Sequence, residues 1–190
     1  TAYPQQPSCR WIAALALASI GDAAVPSLKQ GAKSDDPMLR LWASAALARI
    51  EGTNSPCLSY LVDTVRGGDR RLALEALQTI KMLGPLAAPV VPQLRAAMKD
   101  TGIPEKEFME AFARIGPAAE PAMPEALKAL KAKDPSARIE AIRAVRGIDG
   151  PSARAAVPLL IEALGTNGVS DAYTESRQPL VREEAAEALG

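Results

Sequence analysis

Histidine is absent from the 190 residues of this chain. Its absence removes Ser-His-Asp and Cys-His nucleophile systems, histidine-ligated zinc and the commonest general base. No Walker loop or dinucleotide fingerprint is present either. Catalysis would have to rest on carboxylates, lysine, cysteine or tyrosine alone, and the expectation is that the chain is not an enzyme and takes no cofactor. Aromatic residues are scarce at 4%, so a core must be packed from the abundant alanines and leucines, which points to helix on helix. Net charge is also missing: 22 basic residues balance 22 acidic ones, leaving no global field to draw the chain onto nucleic acid or an anionic membrane. The two cysteines, Cys9 and Cys57, stand in no metal spacing and read as reduced small hydrophobes, which favours a reducing, cytoplasmic setting without excluding a periplasmic one. The longest nearly apolar run, Trp11 to Ile20, is half the length a bilayer span needs.

What is present is a repeat. An Arg is followed by Ala at +6, a large apolar residue at +7 and Ile at +10, as in Arg10/Ala16/Leu17/Ile20, Arg40/Ala46/Leu47/Ile50, Arg70/Ala76/Leu77/Ile80 and Arg138/Ala144/Val145/Ile148. A further copy places Glu105 in the Arg slot, with Ala111, Phe112 and Ile115, and a last one, Arg182/Ala188/Leu189, stops short. Residues at +3, +6, +7 and +10 form one stripe of an amphipathic helix whose small side chains let neighbouring axes approach. Gly21, Gly84-Pro85, Gly116-Pro117 and Gly150-Pro151 follow these helices, where Gly supplies a left-handed C-cap and Pro forbids continuation. A second helix then opens on Pro26, Pro92, Pro124 or Pro158, and an acidic turn at Asp36, Asp69, Asp100 or Asp134 leads to the next copy. The unit is helix, Gly/Pro turn, helix, Asp turn, about eleven helices in all.

This pattern, clearest from Gly116-Pro117 through Pro124-Glu-Ala-Leu-Lys-Ala-Leu to Asp134-Pro135-Ser-Ala-Arg138, resembles the short HEAT-like repeat also found in phycobilin lyases. The resemblance implies an all-α, right-handed α-solenoid of stacked helical hairpins, five to six repeats over residues 1–190. It also implies that the Pro-bearing helix is the outer one and that the Arg/Ala/Leu helix lines a concave surface. Most such proteins are scaffolds and adaptors, with a minority of lyase-type enzymes and DNA-binding domains. A non-repeat loop insertion is expected at 165–180, and its Tyr173, Glu175 and Arg177 are candidate partner contacts. Because the last copy is incomplete and the chain opens on Thr, the polypeptide is expected to continue beyond these residues, whose other domains are further candidate partners.

If the Arg/Ala/Leu helices line the groove, positions +1, +5 and +9 face it. The first two units then offer Trp11, Leu15 and Leu41 with Met38 beside them, an apolar strip able to anchor a protein or peptide. Later units offer mixed charge at Arg71, Glu75, Glu110, Arg114 and Arg143, which suits a register-setting rim and not a nucleic-acid groove. The ladder of Arg10, Arg40, Arg70, Arg138 and Arg182 is expected to pair with the Asp turns and fix the stacking. Glu105, Glu107 and Glu110 are read as negative charge at a helix start, and no metal site is expected.

Overall fold

Three aspartates set the rhythm of the chain. Asp36 accepts from the Met38 N–H, Asp69 from the Leu72 N–H, and Asp134 from the Ser136 and Ala137 N–H groups, each holding the first turn of a helix. The structure, a computed structural model, describes residues 9–165 and 172–189, and the described residues form an all-α repeat solenoid without strands. One layer contains α1 (Cys9–Ile20), α3 (Pro37–Glu51), α5 (Arg70–Leu83), α7 (Glu105–Ile115), α9 (Pro135–Ile148) and α11 (Ala172–Leu189). The other contains α2 (Val25–Gly31), α4 (Cys57–Arg66), α6 (Val91–Asp100), α8 (Met123–Ala129) and α10 (Val157–Gly165). Helices of the first layer pack in chain order, and α3, α5, α7, α9 and α11 each pack on the second-layer helix that precedes them in sequence.

The turns between the helices of a unit are short 3-10 segments, and each begins on backbone that few residues adopt. Gly52, Gly84 and Gly116 have φ of 74°, 57° and 84° with ψ of −151°, −127° and −148°, so the glycine slot is not the left-handed helical cap expected from sequence. It lies close to a region that only glycine occupies freely. In the fifth unit the slot is filled by Asp149 in the true left-handed conformation (φ 38°, ψ 48°), and Gly150 is extended. Replacing Gly116 with Ala should therefore destabilise the chain by about 1–3 kcal/mol, read as a lowered melting midpoint by circular dichroism.

The repeat register predicts the core in the interior units. Ala76, Leu77 and Ile80 are wholly buried, as are Ala111, Phe112 and Ala144. The first unit departs from it, since Leu17 and Ile20 are 37% and 60% exposed. The loop expected at 165–180 is also corrected: α11 begins at Ala172 and carries Pro179 within it, so 172–180 is helical. One stretch, Cys9–Gly31, is long and apolar enough to cross a membrane by length and composition, at a mean hydropathy of 1.5. The sequence reading ends this run at Ile20, whereas the structure carries the chain on through Gly21, whose φ of 70° separates α1 from α2. Both helices pack on α3.

Candidate partner-binding surface

The apolar strip expected from sequence is not the one the fold exposes. Trp11 and Leu41 are core residues, 5% and 0% exposed, and Leu15 and Met38 are half-buried against that core. The physical reason is that the +1 side of a first-layer helix packs against the core, as Trp11 does on the side of α1 that meets α3. The +3, +6, +7 and +10 positions of α5, α7 and α9 are buried, but so is +1 wherever that residue is apolar, as at Trp11, Leu41 and Ile139. Trp11 packs on Trp42 with ring centroids 6.1 Å apart, and the Arg49 guanidinium lies 5.9 Å over the Trp11 ring.

The same two units nevertheless carry an apolar opening, displaced around the helices. A cleft of about 430 Å³ lies between α1, α2 and α3, walled by Ala13, Leu17, Leu28, Met38, Leu39 and Trp42, with Arg10 and Asp36 also lining it. Leu39 is 51% exposed, and Ile12 and Ile20 stand exposed on α1 nearby. Leu17 was legible in sequence only as a core position; Leu39 gave no signal, because it lies outside the repeated slots. Asp36 is held by its cap to Met38, while Arg10 makes no ion pair among the described residues. A more polar cleft of about 500 Å³ in the second half is flanked by Met98, Lys99, Glu105, Pro124, Glu125 and Lys128, and Glu125 there is engaged by Arg95 through two nitrogens at 2.8 and 3.1 Å.

Along the first layer the later units replace the apolar strip by ion pairs. The buried Lys81 ammonium of α5 donates to Glu107 Oε2 at 2.6 Å and Glu110 Oε2 at 2.7 Å on α7. On α9, Arg143 bonds Glu140 at 3.0 Å and reaches across to Glu184 of α11 at 2.7 Å, and Arg146 bonds Glu184 and Glu187 at 3.2 and 2.7 Å. Of the residues expected in the groove, Glu110 and Arg143 thus belong to one charged ladder. Glu75 is half-buried beside it in sequence register, and Arg71 and Arg114 are exposed without an ion pair among the described residues. Glu107 and Glu110 are cross-helix partners of Lys81, beyond the helix-start role expected of them. Tyr173, Glu175 and Arg177 fall on the first turns of α11, and their side chains lie outside the described residues.

Two arginines of the ladder, Arg40 and Arg138, bond carbonyls where pairing with the Asp turns was expected. Arg40 Nε and Nη2 donate to the Ser34 carbonyl at 2.8 and 2.6 Å, and Arg138 Nη1 donates to the Ala132 carbonyl at 3.2 Å. These guanidinium groups satisfy carbonyls just past the preceding second-layer helix, while the aspartates cap the following one.

Burial raises the Glu140 carboxyl above the ordinary glutamate value of 4.5, and Glu110 and Glu184 push in the same direction against Arg143 and Lys81. The folded chain therefore holds this proton more tightly than the unfolded chain. The associated stability is full below pH about 4.5 and is lost as pH rises through the folded value. Glu140→Gln removes that dependence, so the melting temperature of the variant should gain on wild type as pH is raised from about 4.5 to 7; scans at several pH values check it. Cys57, half-buried near the start of α4, has its thiol raised by burial, and both Cys9 and Cys57 are free. Among the described residues no cluster of acidic or cysteine side chains could hold a metal ion.

Helical hairpins stacked in two layers, with Asp-capped starts and glycine-broken turns, define an α-solenoid repeat protein. The family model described as the PBS lyase HEAT-like repeat matches residues 10–34, which span α1 and α2. No curated protein matches the chain.

Proposed function

We propose that this chain is a scaffold that binds another protein through its first two units, the apolar cleft anchoring the partner and the charged surface of the first layer setting its register. The observation that carries the reading is the pairing of surface leucines with a preformed opening: Leu17 and Leu39 are 37% and 51% exposed at a cleft of about 430 Å³. Exposed apolar side chains gathered at a concavity, bordered by charge, are what a protein anchor needs. The outward cations Arg71 and Arg114 sit on a layer that also presents Glu107, Glu110, Glu140, Glu184 and Glu187, which favours a mixed-charge protein surface over a phosphate backbone. Lyase chemistry is not part of this reading. At the cleft Asp36 accepts from the Met38 N–H as a helix cap.

The test is Leu39→Asp. Since Leu39 is half exposed, the melting temperature should stay within about 2 °C of wild type, the scale of a surface change. Affinity capture from the native extract, with partners identified by mass spectrometry, should lose the specific partner by at least about tenfold, as expected when a charge enters an anchor pocket. Undiminished capture by the folded variant would reject this surface.

A further inference from the structure

The uncovered side of α1 has a counterpart in every interior unit, and the comparison says what shape fits it. At +3, +6, +7 and +10 the later helices carry Ala73, Ala76, Leu77 and Ile80 on α5, then Phe108, Ala111, Phe112 and Ile115 on α7, all of them buried. The same slots on α1 are Ala13, Ala16, Leu17 and Ile20, and all four are exposed. Elsewhere in the layer this register belongs to a helix that packs against other helices. On the side of α1 that meets α3, Trp11 and Ala14 are buried, so the exposed slots form a separate face, continuous with the cleft through Ala13 and Leu17.

From this we infer that the α1 face and its cleft dock an amphipathic α-helix supplied by a partner protein, with a small-and-aliphatic stripe and an acidic residue placed to meet Arg10. The inference rests on the protein-binding reading above and names the partner's chemistry. Helix-on-helix packing follows from the spacing, because Ala13, Leu17 and Ile20 recur at the four- and three-residue intervals that form a ridge for a second helix. The acidic flank follows from Arg10, a cation at the cleft with no ion pair among the described residues. Trp42 lines the cleft wall and is nearly buried, so its indole is placed to report on occupancy of the cleft. A second copy of this chain fits poorly. The α11 residue equivalent to Trp11 is the exposed Glu183, and stacking α11 on α1 would bring its carboxylate against the apolar α1 face.

The probe is a fluorescein-labelled synthetic helix with alanine and leucine at i, i+3, i+4 and i+7. Its other face carries glutamate and lysine paired at i, i+4, with a glutamate flanking the apolar stripe, and a scrambled peptide of the same composition is the control. Fluorescence anisotropy with the whole chain should give saturable binding to the periodic peptide and at least about tenfold weaker binding to the scrambled one. Leu17→Asp and Ile20→Asp should each lose about tenfold or more, and Arg10→Ala should weaken binding severalfold and reduce its salt dependence. Leu74→Asp, an exposed apolar position on α5, should leave binding unchanged. Circular dichroism identifies any variant that fails to fold, and Ile20, at 60% exposed, is the position least able to unfold the chain. The indole N–H resonance of Trp42, assigned through Trp42→Phe, should shift on titration.

Equal binding of both peptides, no binding, or binding indifferent to Leu17→Asp and Ile20→Asp overturns the inference. So does concentration-dependent self-association abolished by Leu17→Asp, which would make the occupant a second copy. Co-sedimentation with phosphatidylserine vesicles in place of peptide binding would make it a lipid surface. If the peptide fails while partner capture remains sensitive to Leu39→Asp, the helix inference falls and the protein-binding reading stands; if capture is insensitive as well, both fall.

Discussion

Replacing Leu41 with Ala should lower the stability of the folded chain by about 2–5 kcal/mol, the range for removing a fully buried leucine whose neighbours cannot close the gap. Leu41 is 0% exposed on α3, and neighbouring positions Ala43, Ala45 and Ala46 are buried as well. In a close-packed interior the neighbours relax only partly into the space left behind. The loss therefore combines the transfer term with most of the cavity term. For a chain of this size, thermal scans should register a fall of roughly 5–20 °C. The substitution also separates two pictures of the surface. A groove-facing Leu41 would leave the melting temperature nearly unmoved and weaken a partner, and the burial of this residue requires the reverse.

Gly147→Ala is the second large effect, and here two opposing terms must be weighed. Alanine is the better helix former by about 1 kcal/mol in a helix interior. A Cβ at Gly147 of α9, however, would stand 2.5 Å from the Ala113 carbonyl oxygen and 2.8 Å from the Ala113 Cα of α7. Those are backbone atoms, so no rotamer change relieves the contact, and α7 and α9 must move apart along an extensive interface. Overpacking a tight core costs about 1–3 kcal/mol when side chains can adjust, and backbone displacement places this case at or above the upper end. The expected outcome is a net destabilisation of about 2 kcal/mol or more, measured by urea denaturation. A variant as stable as wild type would show that the helix-propensity gain had won.

The repeat and its punctuation were readable because each device has a local cause. Asp36, Asp69 and Asp134 cap helices through their own side chains, and Gly52, Gly84 and Gly116 fill backbone positions that other residues resist. No distant contact is needed to foresee either. The free surface was not readable, because an alanine-rich helix between two neighbours is apolar on more than one side. On α3 every residue from Leu41 to Ala48 is buried, so the period of the pattern carries no sign to mark which side meets solvent. The start of α11 was hidden for a related reason: Pro179 and the polar residues before it read locally as a break, yet the helix runs through them. Lys81 was missed as well. It lies outside the repeated slots, and its importance appears only when α7 brings Glu107 and Glu110 within 2.7 Å.

In the later units of the first layer ion pairs are added to the apolar packing, so salt should act unevenly along the solenoid. Bending the end formed by α1 and α3 would separate Trp11 from Trp42 and expose apolar area, at about 25 cal/mol for each Å². Bending the end formed by α9 and α11 also exposes apolar area, since Val181 and Ala185 of α11 are wholly buried. In addition it stretches exposed contacts such as those of Arg143 and Arg146, worth about 1 kcal/mol or less each. Added salt screens those contacts and leaves the tryptophan pair untouched. Raising the ionic strength should therefore loosen the α9–α11 joint more than the end that carries the cleft.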